Sequence, residues 1–400
     1  MERGAPLCSN YAINSGLTKK VCTFKANSGI INIWLKTAYL LGFYLKEVFI
    51  LAEFNYHQQT DMKNIELIRN ICDELPQFVK MFFRSIQQSK SSRTRLGYAR
   101  DIKNFFEYIC ATYTDAPCNT PKDITLDILS SIDAMFIDDY MDYLQMYKKN
   151  GRTYTNGKAA IKRKITSLSV FYSYYYRNDL VSQNPVAKIE RPRIHDKQIV
   201  RMDAAETANF LDTVEFGNNL TAKQLQYHEK NKTRDLALLT LMLSTGIRIS
   251  ECIGLDTKDV DFNNMCIKIT RKGGKEAIVY FSDEALEPLL AYMEERKKIE
   301  PQKGHEYALF LSAQKKRISI RSVENLVNKY ARSAVPLKHI TPHKLRSTFG
   351  TALYQETSDI YLVADVLGHT DVNTTRKHYA DIDNERKRLA RNKVQLREKP

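Results

Sequence analysis

Long uninterrupted apolar runs are missing from these 400 residues. The one candidate, Ile30 to Phe54, is broken by Lys36, Lys46, Glu47 and Glu53, so the ~20 consecutive apolar residues of a membrane-spanning helix are not present. The stretch also begins too late and runs too long for an ordinary signal peptide, so no membrane role is expected. Cysteine is scarce and odd in number: Cys8, Cys22, Cys72, Cys110, Cys118, Cys252 and Cys266. None forms a C-x-x-C pair and none has a histidine at zinc-ligand spacing. That pattern argues against a disulfide framework and a metal site, and for reduced thiols in a cytoplasmic protein. A G-x-x-x-x-G-K-[ST] loop is lacking, and with it the usual nucleotide phosphate cradle. Neither internal repeats nor low-complexity tracts occur.

What the chain has in excess is positive charge. Lys and Arg number 61 against 46 Asp and Glu, a formal net charge of +15. This biases the choice of partner toward a polyanion, nucleic acid first and an anionic membrane surface second. With 43% apolar and 10% aromatic residues a real core is available, so wholesale disorder is excluded. At ~150 residues per domain the length suits two or three domains.

Residues 1–64 read unlike the rest; they are aromatic-rich, hold the single tryptophan Trp34, and receive no assignment. From about Ile65 the apolar spacing is helical: Ile65, Ile68 and Cys72, then Phe78, Met81 and Phe82. After a serine-rich break, Tyr98, Ile102, Phe105, Phe106 and Ile109 share one face. Ile132, Met135, Phe136, Tyr140, Tyr143 and Leu144 mark a further helix. Between Lys148 and Lys164 every charged residue is basic, and the run leads into a helix whose Ile161, Ile165, Leu168, Tyr172 and Tyr175 face inward. Lys158 and Lys162 lie one turn apart on another face. A solvated surface explains such a run equally well. Pro185 and Arg191-Pro192-Arg193 close this helical part near residue 195.

Beyond the connector the pattern is mixed. Leu236 to Leu243 reads as a buried helix. Met265–Thr270 and Ala277–Phe281 read as strands joined through Gly273-Gly274 in a hairpin. Thr341-Pro342 opens a helix, Ser358 is placed to cap the next, and Gly368 ends it. The fold class expected is mainly α with a small antiparallel β-hairpin or sheet, divided as 1–64, a helical domain 65–195 and an α+β domain 196–400.

Several polar residues lie where chemistry is feasible. His343 and Arg346, three apart, share the exposed face near a helix N-terminus, opposite the buried stripe of Leu345, Phe349 and Leu353; such a pair makes a good phosphate site, and plain surface decoration is the alternative. Arg248 stands just outside the stripe of Ile249, Cys252 and Ile253; an ordinary surface pair with Glu251 accounts for it as well. Lys272 meets the Gly-Gly turn, where an edge lysine that discourages strand pairing is the plain alternative. His369 follows Leu367-Gly368, and Tyr379 is one of 23 tyrosines, most of them packing residues.

Taken in order, S-T-G-I-R-I-S-E-C-I-G-L (244–255), R-K-G-G-K-E (271–276), H-K-L-R-S-T-F-G-T-A-L (343–353), L-G-H-T (367–370) and T-T-R-K-H-Y (374–379) resemble the catalytic domain of tyrosine recombinases, the phage-integrase and Xer-like family. Residues 90–195 resemble, less specifically, the helical core-binding domain that precedes it. The resemblance implies six active-site residues. Arg248 and Arg346 would hold the non-bridging oxygens of the scissile phosphate, and Lys272 would protonate the leaving 5′-oxygen, with Lys275 as its competitor. His343 would assist proton transfer, His369 would hydrogen-bond the phosphate, and Tyr379 would be the nucleophile. Two departures stand out: the His369-to-Tyr379 interval is one residue longer than in Xer-type sequences, and Ser347 replaces a frequent histidine.

The physics suits those roles, because guanidiniums stabilise the charge that spreads over phosphate oxygens during displacement. A tyrosine with a pKa near 10 needs a base or a positive field to attack. The resemblance further implies a site-specific DNA recombinase or integrase of a mobile genetic element, acting without metal, ATP or other cofactor. Its partners would be double-stranded DNA, other copies of itself as a tetramer at the synapse, and an accessory DNA-bending or excision factor. Arg95, Lys158, Lys162, Arg163 and Lys164 would contact DNA phosphates, and the basic segment Glu385 to Lys399 would dock on its own core or a neighbour. A type IB topoisomerase-like or resolving enzyme, and a catalytically silent DNA-binding regulator, remain alternatives. A metal-dependent nuclease using Asp133, Asp138, Asp139 and Asp142 is a weaker one, since those acids read as a solvated face.

Overall fold

The computed structural model describes residues 54–113, 118–194, 200–271, 273–369 and Val372. Chain contacts set Met1–Phe54 apart from Asn55–Pro400, and the elements below belong to the latter. Lys272 and Tyr379 lie outside the described residues, as does the segment Glu385 to Lys399.

The first helices are α1 (Tyr56–Asp73), α2 (Gln77–Ser85), α3 (Ser92–Thr112), α4 (Leu126–Ser131) and α5 (Ala134–Gln145). A short hairpin follows, β1 (Met146–Lys149) and β2 (Arg152–Thr155), and then the long α6 (Lys158–Arg177). Helix α1 starts nine residues ahead of the position expected from apolar spacing. Its start is set by a capping box: the Asn55 side chain accepts from the Gln58 backbone N–H at 2.9 Å, and the Gln58 side chain accepts from Asn55 N–H at 3.0 Å.

These helices pack around aromatic side chains. Phe82, Phe105, Phe106, Phe171, Tyr172 and Tyr175 are fully buried, and their rings meet edge to face, Phe82 and Phe171 at 5.2 Å and Phe106 and Phe171 at 5.9 Å. Ile161, Ile165, Leu168, Tyr172 and Tyr175 of α6 all face inward as expected. Met81 and Met135 do not; they are 50% and 71% exposed. Phe83, two residues after Met81, takes an inward position instead.

The basic run from 148 to 164 is not one element. Asn150 and Gly151 both adopt positive φ, 50° and 71°, and turn the chain between paired strands in the register Tyr147–Tyr154 and Lys149–Arg152. Asn-Gly is the dipeptide that a two-residue type I′ turn selects. Charge obscured that signal in the sequence.

A second buried cluster draws on residues from Met202 to Leu345. Around it lie α7 (Ala204–Phe216), α8 (Ala222–Glu229), α9 (Lys232–Thr245) and α10 (Ile249–Gly254), the sheet β3 (Val260–Asp261), β4 (Cys266–Thr270) and β5 (Glu276–Tyr280), and then α11 (Asp283–Lys297), α12 (Ile320–Ala334) and α13 (Pro342–Thr357), while α14 (Ile360–Leu367) packs Val363 and Leu367 with Tyr354 in a small cluster of its own. Helix α9 runs through the middle against α7, α11 and α13, which is why Ala237, Leu238, Leu239, Leu241 and Met242 are all buried. The expected hairpin forms with Thr270 opposite Glu276, and β3 adds a third antiparallel strand. Met265 is excluded from β4 because its φ is +49°. The cap of α14 is Asp359, not Ser358: its carboxylate accepts from the N–H groups of Tyr361 and Leu362, while Ser358 takes the left-handed position ending α13.

The first turn of α1 reaches this second cluster. Tyr56 packs on it, with the Arg317 guanidinium 5.3 Å from its ring centroid. Arg317 donates to the carbonyls of Ile253 and Leu255 at 2.9 and 2.8 Å and pairs with Asp256 at 2.5 Å, so it ties down the end of α10.

Candidate active site

Arg248 precedes α10 as its N-cap. Its backbone N–H and its guanidinium both donate to Glu251, each at 2.8 Å, and another guanidinium nitrogen donates to the carbonyl of Gly368 at 3.3 Å. The surface pair with Glu251 that a plain reading offers is therefore present, but its acid is not on the surface. The Glu251 side chain is 3% exposed and that of Arg248 35%.

Arg346 corrects the expectation of an exposed face. On α13 it is 6% exposed. Its guanidinium donates to the carbonyl of Gly246 at 2.7 Å and to that of Leu367. Helix spacing placed it beside His343, but packing of α13 against α9 carries residue 346 inward, where backbone carbonyls take the place of water. His343 itself is exposed, and Pro342 occupies the first helical turn with Thr341 as a cap that makes no side-chain bond to the helix.

Gly246 and Gly368 make these contacts feasible. Both end helices with positive φ, 61° and 64°. A Cβ at Gly246 would run into the Phe349 ring, and one at Gly368 into the Arg271 guanidinium. Beyond Gly368, His369 is half-buried and donates its backbone N–H to Ala364 at 2.8 Å.

Arg271 carries no role in the sequence reading, and Glu251 only that of a surface partner. Arg271 sits at the root of the β4–β5 turn, its N–H bonded to Lys275 at 2.7 Å, and it donates to the carbonyls of Asp365 and Val366 at 3.3 and 3.0 Å. Three arginines from three elements therefore share one helix end: Arg271 on Asp365 and Val366, Arg346 on Leu367, Arg248 on Gly368. The last carbonyls of a helix are unsatisfied and carry partial negative charge, so they hold cations well. Only adjacency to Lys272 could have flagged Arg271. Lys272 and Tyr379 fall outside the described residues, so geometry places neither. Two tyrosines precede His369 nearby: Tyr354 is 5% and Tyr361 71% exposed.

The residues considered for polyanion contact fall into two groups. Lys158 is exposed and Lys162 half-buried on α6. Arg163 makes a two-pronged pair with Asp101 at 2.5 and 2.8 Å, and Lys164 lies 3.5 Å from the same carboxylate. Asp101 is 1% exposed and also accepts from Ser167 at 2.7 Å. Arg163 and Lys164 thus serve the fold by neutralising a buried acid. Arg95 is half-buried, with its Nε enclosed and unbonded among the described residues. The acids Asp133 and Asp142 hold local roles, capping α5 through Phe136 N–H and accepting from Gln145.

Among the described residues no helix is long and apolar enough to cross a membrane. Comparison with known proteins adds the lineage. Residues 217–386 match the model of the phage integrase family. Tyrosine recombinase XerS of Streptococcus agalactiae serotype III is 30% identical over 351 residues, covering 80% of this chain and 98% of the relative. XerS of Streptococcus uberis is 31% identical over 339 residues, covering 78% and 94%. Among solved structures, XerH site-specific recombinase bound to palindromic difH substrate superposes with a TM-score of 0.56 at 20% identity, over 76% of this chain and 80% of that one. The Tn1549 transposon integrase in complex with circular intermediate DNA gives 0.55 at 21% identity, over 78% and 98%. These likenesses support the helical fold with small antiparallel sheets. The chain belongs to the phage integrase family and is a Xer-like, tyrosine-type site-specific recombinase.

Proposed function

We propose that this recombinase cuts and rejoins double-stranded DNA through a 3′-phosphotyrosine at Tyr379, without metal or ATP. Tyr379 attacks the phosphorus, the 5′-oxygen leaves with a proton from Lys272, and His343 assists proton transfer at the tyrosine. The ester keeps the energy of the broken bond, so a second 5′-hydroxyl reverses the step. Arg248 and Arg346 neutralise the phosphate oxygens as charge spreads over them, a contribution that reaches ~10³-fold for one arginine in phosphoryl transfer. His369 adds a hydrogen bond.

The observation that carries this reading is the convergence of Arg248, Arg271 and Arg346 on the consecutive carbonyls of residues 365–368, immediately before His369. Fixed backbone acceptors orient the guanidiniums ahead of substrate binding, which is the preorganisation that phosphoryl transfer needs. The division into a helical part, 65–195, and a catalytic part, 196–400, suits a clamp around duplex DNA. Lys158 and Lys162 are the basic residues of α6 best placed to touch phosphates. Four copies at a synapse, an accessory DNA-bending factor and action in the cytoplasm complete the proposal.

Arg346→Lys tests the phosphate-binding role, since lysine keeps the charge but not the planar fork. Cleavage of a nicked duplex should fall by about tenfold or more while duplex binding persists. Unchanged cleavage would count against it. Strand exchange between two sites, assayed beside relaxation of a supercoil, separates recombination from topoisomerase action.

A further inference from the structure

The hairpin β1–β2 is the element whose presence the catalytic reading does not explain. Two-stranded hairpins are marginal on their own, and among the described residues this one is braced from one side only. Tyr147 stacks on Tyr154 at 5.4 Å and on Tyr143 at 5.0 Å, and Tyr143 lies 4.7 Å from Tyr108, a ladder that ends in the buried aromatic core. On the same face Lys149 pairs with Glu107 of α3 at 2.5 Å. At the base Asn156 closes the strands, its side chain donating to Leu144 at 2.7 Å.

Among the described residues the opposite face has no such support. Met146, Lys148, Thr153 and Thr155 alternate onto it. Met146 is 68% exposed and the other three are exposed as well. Arg152, the register partner of Lys149 and therefore on that residue's face, is exposed beside the turn. No residue from Met146 to Thr155 is acidic, so once Lys149 is paired internally, Lys148 and Arg152 still carry positive charge on an otherwise neutral ribbon.

We infer that this ribbon seats duplex DNA in the major groove by its outer face and its turn, with Lys148 of the outer face and Arg152 beside the turn on phosphates and Thr153 at a base edge; this rests on the reading of the protein as a DNA-cleaving enzyme. A two-stranded ribbon matches the ≈ 12 Å width of the major groove. The ladder behind it removes the ordering cost that a loose loop would incur on binding. A threonine hydroxyl both donates and accepts, so it reads any base edge without tight sequence demand.

The test uses the full chain on a labelled duplex of mixed sequence, titrated by fluorescence anisotropy between about 50 and 200 mM salt. Each lost phosphate contact lowers the log-log salt slope by about 0.9, so Lys148→Ala with Arg152→Ala should lower it by about 1.8. Lys298→Ala, an exposed lysine on the catalytic part, should leave the slope at the wild-type value. Thr153→Val keeps strand propensity and removes only the hydroxyl. It should weaken protection of guanine N7 from methylation while leaving the slope unchanged. A double variant that titrates like Lys298→Ala would overturn the inference, as would one bound by an acidic protein but unaltered on DNA. A wild-type chain that fails to bind the duplex at all would instead remove the reading on which it rests.

Discussion

Arg248 closes on Glu251, its neighbour three residues along, through both its backbone N–H and its guanidinium. The acid is sealed from solvent and the base is not, so the carboxylate acts as the fixed point and the guanidinium as the group it aims. Glu251→Ala should therefore slow formation of the covalent adduct by up to ~10²-fold, the scale expected of a misplaced catalytic group. Duplex affinity should hold, and Glu251→Gln should retain more activity than Ala. Adduct yield on denaturing gels reads this directly. Wild-type rates in Glu251→Ala would show that Arg248 needs no such anchor.

Gly368 is the position where the three-arginine cluster is most easily broken. A side chain there meets a left-handed backbone and the Arg271 guanidinium together. Gly368→Ala should cost about 1–2 kcal/mol for the conformation alone. It should also displace Arg271, so cleavage should fall further than thermal stability does. A variant that cleaves normally would mean that Arg271 can leave its carbonyls at no cost to the site.

Much of the site was legible in order and little of it in depth. Arg248, His343, Arg346 and His369 stand in motifs whose local context, cap, helix start or helix end, can be read from neighbours. Burial of Arg346 was not legible, because it depends on carbonyls 100 and 21 residues away, beyond any periodicity. Arg271 escaped notice for the same reason, its partners lying 94 and 95 residues on. The Asn55 capping box and the Asn150-Gly151 turn were written plainly in the sequence. Apolar spacing masks the first signal and charge masks the second. Inward helix faces such as Ile161 to Tyr175 were read correctly because a period of 3.6 residues is a local property.

Arg163 and Lys158 should separate cleanly under mutation. Arg163 answers a buried carboxylate, although Lys164 and Ser167 also contact it. Arg163→Ala should lower unfolding free energy by about 1.5–3 kcal/mol, the scale of a charged hydrogen-bonded pair. Lys158→Ala should leave stability unchanged and reduce the salt dependence of duplex binding. Denaturant melts of both variants check the first statement. Equal stability for the two would remove the structural role given to Arg163.

His228 gives the fold a sensitivity to acid. It is fully buried, and Tyr330, which donates to Asp235 at 2.9 Å, offers its oxygen to His228 Nδ1 at 3.1 Å. Nδ1 therefore carries the proton, and Nε2 has no hydrogen-bond partner among the described residues. Burial first, and then the Lys329 charge, lower its pKa below the usual 6.5, against the opposing pull of Glu229 and Asp235. The unfolded chain binds this proton more readily, so the stability the neutral ring supports is present above about pH 6.5 and is lost as pH falls below it. His228→Gln, which does not titrate, should show a smaller drop in melting temperature between about pH 7 and 5 than wild type. An equal drop would assign the acid sensitivity to other groups.

The nucleophile is the point on which everything else depends, and it can be read in one measurement. A library of nicked suicide duplexes of randomised sequence is incubated with wild type and with Tyr379→Phe, in EDTA, and the denatured mixture is scored for DNA covalently attached to protein. Wild type should trap an adduct whose peptide maps to Tyr379 by mass spectrometry, and Tyr379→Phe should trap none. An adduct that persists in Tyr379→Phe, or that forms in wild type only when a divalent metal is restored, would contradict the proposed chemistry.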